Sequence, residues 1–180
     1  MAIKYAILGL LSWQPFTGYD LKKVFMDSTV FYWSGNNNQI YRTLVQLHNE
    51  GLVTNEIHYQ KSLPAKKVYS ITGEGTKALQ AWVSANPEPP ELRNKFLIQL
   101  AWADQLSNEE INTLLERYEE ELKLRLLMHK EKERRGRAAP RRTPREEYLW
   151  NMISENISAK FESELNWVGQ LKHDLSNWKD

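Results

Sequence analysis

The spacing of apolar residues predicts a mainly helical protein, because they recur every three or four positions along most of the chain. One such stripe consists of Ile40, Leu44 and Leu47, the spacing of a helix that packs one face against a core. Side chains that can cap a helix, Asn36–Asn38, precede this stripe, and Gly51 follows it where a left-handed turn would end the helix. We expect the first half of the chain to be organised around this helix.

Two shorter helices are predicted before this stripe, over Ala2–Leu11 and Tyr19–Asp27. A turn at residues 14–18 separates them, and Thr17 is a suitable N-cap for the second helix. Three short helices with tight connections, the third rich in side chains that can read bases, are typical of a helix-turn-helix unit.

A β-hairpin is predicted after the third helix. Alternating, β-branched and aromatic residues indicate strands over Leu52–His58 and Lys67–Thr72. Residues 59–66 between them are expected to form a loop, because the segment is too long for a two-residue turn. This loop carries Pro64 and basic side chains, so we expect it to project as a wing that touches phosphates.

The second half is predicted to be helical throughout. The run Asn86–Pro90 contains three prolines and favours an extended linker, so the predicted domains are residues 1–86 and 87–180. A helix capped by Thr72 closes the first domain. In the second domain helices are predicted over Glu91–Gln105, from the capping box Ser107–Glu110 to about Arg134, and from Pro144 to about Trp178.

The last predicted helix carries an unusually long apolar stripe. Its members step by three or four residues: Ile153, Ile157, Phe161, Leu165, Val168, Leu171 and Leu175. A small domain is expected to be unable to bury such a stripe alone, so we predict that a second copy covers it. The predicted fold is therefore mainly α with a small β-hairpin, an N-terminal winged helix-turn-helix followed by an antiparallel helical dimerisation domain.

Composition excludes several classes of site and of protein. The chain has no cysteine, which excludes disulfides and thiolate sites, and its four histidines lack a metal-ligand spacing, so no metal or cofactor is expected. No apolar run reaches the roughly 20 residues that span a bilayer, and we expect a cytoplasmic protein without a membrane partner. No nucleophile–base arrangement or phosphate loop is present, so an enzyme is not expected.

The net charge of +1 conceals two basic regions. Residues 1–85 carry eight Lys and Arg against five Asp and Glu, and residues 130–145 carry eight against two. A locally basic distribution permits nucleic-acid binding. For the segment 130–145 two interpretations stay open, a contact with DNA or acidic partners and a solvated connector.

Polar residues crowd the first turns of the third helix, where a recognition helix presents side chains to base edges. The candidates for the major groove are Asn36, Asn38, Gln39, Tyr41 and Arg42. The candidates for phosphate contacts in the wing are Lys61, Lys66 and Lys67. An ordinary amphipathic helix with a polar outer face, and a hairpin tip surrounded by solvent, are the alternatives that these residues alone leave open.

Several short motifs resemble the PadR family of bacterial winged-helix transcriptional regulators. They are Ile7–Leu11, Pro15–Leu21, Phe31–Ser34, Gln39–Tyr41, Asn49–Val53 and Lys67–Gly75. The second half looks like the longer C-terminal dimerisation domain of the phenolic-acid-responsive members. The chain departs from the common pattern at Arg42, where many members have Pro, and at Leu63–Lys66, where many have a Gly-Arg-Pro stretch.

This resemblance implies a homodimer that binds a roughly palindromic operator on double-stranded DNA, usually as a repressor. Our hypothesis for regulation is that a small aromatic effector, or another signal, shifts the angle between the two winged domains. The candidate effector residues near the domain junction are Trp82, Phe96 and Trp102, for which plain core packing is the alternative. A winged-helix module that binds protein and not DNA is the rival function.

Overall fold

The computed structural model describes residues 2–31, 37–60, 63–90, 94–136 and 139–178. The chain folds into two compact units. The first comprises Met1–Pro87 with Arg137–Pro140, and the second comprises Glu88–Gly136 with Arg141–Asp180.

The first unit combines four helices with a three-stranded antiparallel sheet in its described part. The helices are α1 (Ala2–Trp13), α2 (Gly18–Asp27), α3 (Asn37–Asn49) and α4 (Gly73–Val83). The strands are β1 (Phe16–Thr17), β2 (Val53–Gln60) and β3 (Leu63–Ile71), in the order β1-β3-β2. The predicted caps are confirmed: the Thr17 hydroxyl accepts from the Asp20 amide, and the Thr72 hydroxyl accepts from the Gly75 amide.

The predicted stripe of α3 lies in the core of this unit. Leu44 and Leu47 are fully buried and Ile40 is nearly so, packed with the apolar faces of α1 and α2. Gly51 ends the turn after α3 with a φ of +72°, the left-handed conformation that glycine adopts without strain. One face of α3 is therefore committed to the core, and the opposite face is left for solvent or a ligand.

Two local predictions for the sheet were wrong. The segment around Phe16 was expected to be only a turn, but Phe16 and Thr17 pair with Tyr69 and Val68 as strand β1. The expected eight-residue wing loop is also absent, because β2 continues to Gln60 and β3 already begins at Leu63. Hydrogen bonds between the backbones of β2 and β3 continue through these polar residues, with a register shift between His58 and Gln60. The polar character of the sequence therefore did not reveal that the two strands extend this far.

Gly75 marks a place where two backbones meet too closely for any side chain. A Cβ built on Gly75 would lie 2.1 Å from the carbonyl oxygen of Leu52 and 2.8 Å from Cγ1 of Ile71. Gly75→Ala is therefore expected to force α4 away from the backbone of Leu52, just before β2, and to lower the free energy of unfolding by about 1–3 kcal/mol.

Urea denaturation compared with Gly9→Ala tests this expectation. Gly9 has no atom within 4 Å of a built Cβ, so alanine there should be neutral or stabilising. Equal stability of the two variants would contradict the close approach at Gly75.

The second unit consists, in its described part, of two long helices and a short one followed by a 3-10 turn. These are α5 (Lys95–Ala101), the 3-10 turn (Ala103–Gln105), α6 (Asn108–Arg135) and α7 (Pro144–Ser176). The Ser107–Glu110 capping box is confirmed, as is the start of the last helix at Pro144. The first helix was predicted to begin at Glu91, but Asn94 caps α5, because its side chain accepts from the Phe96 amide at 3.0 Å.

Helices α6 and α7 pack antiparallel along most of their length. Lys172, near the end of α7, donates to Glu119, in the first half of α6, at 2.9 Å. At the other end of the pair, Nε2 of the buried His129 lies 3.1 Å from the Ser154 carbonyl oxygen. The core between the helices is built around Phe96, Leu115, Leu122 and Val168.

This packing covers much of the long apolar stripe of α7. Five of its members belong to the core of the second unit within one chain: Phe161, Leu165, Val168, Leu171 and Leu175. The expectation that the stripe has no partner within its own chain is therefore wrong for these five residues, because α5 and α6 cover them. Ile157 is half-buried and Ile153 remains 39% exposed.

Candidate nucleic-acid interface

The outer face of α3 carries the predicted base-reading side chains. Asn38, Gln39, Tyr41 and Arg42 are all exposed, while Ile40 and Leu44 between and beyond them are buried. Asn36 lies outside the described residues. The helix period thus separates an anchoring face from a polar face that combines amide and guanidinium groups, the groups that match base edges.

The wing strand β3 presents its two described lysines on opposite faces of the sheet. Lys66 pairs with His58 and Lys67 pairs with Ile57, and consecutive strand residues point to opposite sides. Both lysines are exposed, and Lys61 lies outside the described residues. The Lys67 ammonium lies 5.9 Å from the ring centroid of Tyr69, on the same side of the strand.

Tyr69 is a neighbour of the site that sequence reasoning missed. It is only 6% exposed, and burial raises the pKa of its phenol, with the nearby phenol of Tyr41 as a second cause. Tyr69 therefore lies beside both Tyr41 on α3 and Lys67 on the wing. The structure brings these two predicted DNA contacts together, while Lys66 faces away from them.

An ion pair ties the end of α3 to α1. The Lys4 ammonium donates to Oε2 of Glu50 at 2.5 Å, and the Gln46 amide donates to Oε1 of the same carboxylate at 2.7 Å. These hydrogen bonds, that of Lys4 first, lower the pKa of Glu50 below its ordinary 4.5. The two helices are thus joined here by a group that titrates in acid.

Acidification is expected to remove the contribution of this pair to stability. Because the pKa of Glu50 is lowered by folding, its contribution is complete above pH 4.5 and is lost as the pH falls through the folded value. Both partners are partly exposed, so the contribution is expected to be below about 1 kcal/mol. The free energy of unfolding, measured by urea denaturation near pH 7 and near pH 4, should fall less on acidification in Glu50→Gln than in the parent protein. Glu74→Gln, which alters an exposed pair within α4, is the control, and an unchanged acid response in Glu50→Gln would contradict the role of Lys4.

Several arginines of the basic segment 130–145, which runs from the end of α6 to the start of α7, are paired with acidic side chains. Arg134 and Arg135 both bond to Glu131, which lowers the pKa of that carboxyl to about 2. Arg141 pairs with Glu147 at 3.3 Å, and Arg142 pairs with Glu146 at 2.6 Å. Since these guanidinium groups already have carboxylate partners, the pairing favours the interpretation of this segment as a connector over a contact with DNA.

The three aromatic residues predicted at an effector site do not share one environment. Trp82, in the first unit, stacks on Tyr5 with ring centroids 4.6 Å apart. Phe96, in the second unit, is buried and stacks on Tyr118 at 3.7 Å, whereas Trp102 is 69% exposed. Phe96 therefore packs in a core, as the alternative interpretation expected.

An open groove of about 720 Å³ lies elsewhere in the second unit. Its apolar lining comes from Leu100, Ala103, Leu106, Ile111, Leu171, Leu175 and Trp178, and its polar lining from Asp104, Ser107 and Asn108. None of the three predicted effector aromatics lines this groove.

Neither a metal site nor a membrane span is present among the described residues. Within these ranges, no group of three or more His, Cys, Asp or Glu side chains is placed to hold a metal ion. No helix in the described part of the chain is both long and apolar enough to cross a membrane.

The two units match two known protein families. Residues 7–81 match the Transcriptional regulator PadR-like family, and residues 92–176 match the family described as Virulence activator alpha C-term. The sequence is 33% identical over 113 residues to the negative transcriptional regulator PadR of Bacillus subtilis. That alignment covers 62% of this chain and 62% of the relative, less than two thirds of either.

Solved structures extend the likeness to nearly the whole chain. B. subtilis PadR in complex with operator DNA has a TM-score of 0.82 at 24% identity, covering 97% of this chain and 99% of that one, which shows a shared fold. The same protein with p-coumaric acid has a TM-score of 0.76 at 23% identity, with 99% and 96% covered.

Two further structures are more similar in sequence. The PadR-like regulator BC1756 of Bacillus cereus has a TM-score of 0.78 at 28% identity, with 97% and 96% covered. The virulence activator AphA of Vibrio cholerae has a TM-score of 0.71 at 26% identity, with 97% and 98% covered. These likenesses confirm the winged-helix fold with a C-terminal helical region, and the similar proteins are named as transcriptional regulators and as a virulence activator. The chain therefore combines a PadR-like family domain, over residues 7–81, with a C-terminal region that matches the Virulence activator alpha C-term family, over residues 92–176.

Proposed function

We propose that this protein is a homodimeric repressor that binds a roughly palindromic operator on double-stranded DNA in the cytoplasm. The observation that carries the proposal is the exposed polar face of α3, with Asn38, Gln39 and Arg42 opposite a buried apolar stripe. A helix anchored on one face and rich in paired donors and acceptors on the other suits the major groove. The complex of B. subtilis PadR with operator DNA supports the same role for this fold.

In the proposed interface, the side chains divide between bases and phosphates. Gln39, Arg42 and Asn38, with Asn36 before them, read base edges. Lys66, Lys67 and Lys61 bind phosphates, which fixes the position of the winged unit without reading sequence. A dimer places two such helices about 34–36 Å apart, so its operator has two related half-sites.

We assign DNA binding to residues 1–86 and dimerisation to residues 87–180. The interface is proposed to centre on the N-terminal half of α7, where Ile153 and Ile157 continue the stripe beyond the intramolecular core. Leu149 and Met152 beside them are 50% and 37% exposed, and they form an apolar surface outside the core of the second unit. Antiparallel packing of this surface on a second copy would bury it.

A small aromatic acid is the proposed effector class, supported by the structure of B. subtilis PadR with p-coumaric acid. The proposed effector residues are Trp82, Phe96 and Trp102. Trp82 and Trp102 are exposed to solvent, whereas an effector could reach the buried Phe96 only if the core around it opened. Release of DNA requires that the effector bind one dimer geometry better than the other.

Fluorescence anisotropy tests the proposed function. The labelled duplex is the promoter DNA upstream of the protein's own gene, and a random duplex of equal length is the control. Promoter-selective binding whose affinity falls steeply with salt is expected. Equal, weak binding to promoter fragments and random DNA alike would contradict a specific repressor and favour a protein-binding module.

A further inference from the structure

Tyr41 of α3 lies with one edge of its ring against the backbone of Gly18, the first residue of α2. A Cβ built on Gly18 would lie 2.5 Å from Cε1, 3.1 Å from Cδ1 and 3.3 Å from Cζ of Tyr41. Real side chains do not approach that closely, so only glycine leaves room for the ring in this position. The reason for glycine is space and not conformation, because its φ is not positive.

The backbone that receives the ring follows a residue that is held by two interactions. Thr17, the preceding residue, pairs with Val68 of β3 and caps α2 through its hydroxyl. Gly18 itself is buried. The surface that meets Tyr41 is therefore buried backbone, and it does not depend on the conformation of a side chain.

Tyr69 of β3 lies near the place where Tyr41 meets Gly18. Its phenol is buried, and the Tyr41 phenol is close enough to it to raise its pKa further. The Lys67 ammonium, on the same side of β3, lies 5.9 Å from the Tyr69 ring. Tyr41 of the recognition helix thus meets the start of α2 and lies near Tyr69 of the wing strand, whose ring has the Lys67 ammonium beside it.

We infer that Gly18 is a positioning residue for DNA binding, whose missing side chain forms the seat that holds the Tyr41 hydroxyl toward a DNA phosphate. This inference rests on the proposed function. Tyr41 is 46% exposed although one ring edge is covered, so the side chain is anchored and still accessible. A tyrosine held in one orientation loses less conformational freedom on binding, and its hydroxyl is a neutral donor to a phosphate oxygen.

The seat predicts a specific pattern of DNA affinities. Gly18→Ala displaces the Tyr41 ring and is expected to weaken binding to operator and to random DNA by the same factor, about 10-fold. The salt dependence should not change, because a neutral hydroxyl releases no counterion. Tyr41→Phe, which removes only the hydroxyl, is expected to reproduce most of this weakening.

Gly73→Ala is the matched control. Gly73 is also the first residue of a helix after a threonine cap, but a Cβ there would have no atom within 4 Å. We expect this variant to bind DNA and to melt like the parent protein.

A double-mutant cycle separates positioning from general damage to the fold. In a Tyr41→Ala background the ring is absent, so adding Gly18→Ala should change DNA affinity by under about 2-fold. Thermal unfolding of the same four proteins gives a readout without DNA: Gly18→Ala should lower the melting temperature only when Tyr41 is present.

The outcomes are distinguishable. Effects that multiply in the double mutant, or parent-like affinity in Gly18→Ala, would overturn this inference while leaving the proposed function intact. A parent protein that shows no selective DNA binding would overturn the proposed function, and the melting cycle would still report whether Gly18 seats Tyr41.

Discussion

Arg42→Ala is expected to lower operator affinity at least about 10-fold and to reduce the preference for operator over random DNA. Arg42 is exposed on the polar face of α3, one turn after Asn38 and Gln39. A guanidinium in this position can make two parallel hydrogen bonds to one guanine, and each such pair discriminates by about 1–3 kcal/mol. In a dimer the substitution removes this interaction from both half-sites, so the effect on the complex is larger than that of a single arginine.

The wing lysines should behave differently from Arg42. Lys66→Ala or Lys67→Ala is expected to weaken binding to operator and random duplexes equally, and to reduce the salt slope by about one for each phosphate interaction removed. Anisotropy titrations at several salt concentrations distinguish the two patterns. Arg117→Ala, which removes an exposed arginine from α6, is the charge-matched control. Unchanged operator affinity in Arg42→Ala would remove this residue from the interface.

Aspartate substitutions along α7 are expected to separate folding from dimerisation. Val168 is fully buried between α6 and α7, so Val168→Asp places a carboxylate in an apolar core without a partner. That costs several kcal/mol, and unfolding of the second unit is expected because its core has few other fully buried side chains. Leu149 is 50% exposed, so Leu149→Asp should leave the unit folded and prevent a second copy from packing there.

Circular dichroism and sedimentation velocity together test this pair of variants. Val168→Asp should lose helical signal and cooperative melting, whereas Leu149→Asp should keep both and sediment as a monomer. Val83→Asp, at a valine that is 69% exposed in the first unit, controls for the added charge. A dimeric Leu149→Asp would place the interface elsewhere, and a stably folded Val168→Asp would contradict the core.

The candidate site was predictable from sequence to the extent that it lies on one helix. The stripe of Ile40, Leu44 and Leu47 defines which side of α3 is buried, and the helix period then leaves Gln39 and Arg42 outside. The wing was less predictable, because strand pairing beyond His58 depends on the partner strand and not on local alternation.

The sequence by itself determined most of the helices, several of their caps and the face of α3 that is free to bind. These features depend on residues within a few positions of each other, such as Thr17 with Asp20 and Ser107 with Glu110. Family motifs spread through the first half were also sufficient to identify the fold.

The tertiary structure alone decided which apolar and charged groups meet. Phe161 to Leu175 were expected to face a second copy, yet α6 covers them within one chain, because antiparallel packing brings together residues such as Glu119 and Lys172 that are far apart in sequence. The close approach of Gly18 and Tyr41 is of the same kind, since nothing in local spacing shows that α2 and α3 come so near each other there. Interactions between residues distant in sequence depend on how whole elements pack, and a pattern of single residues does not contain that information.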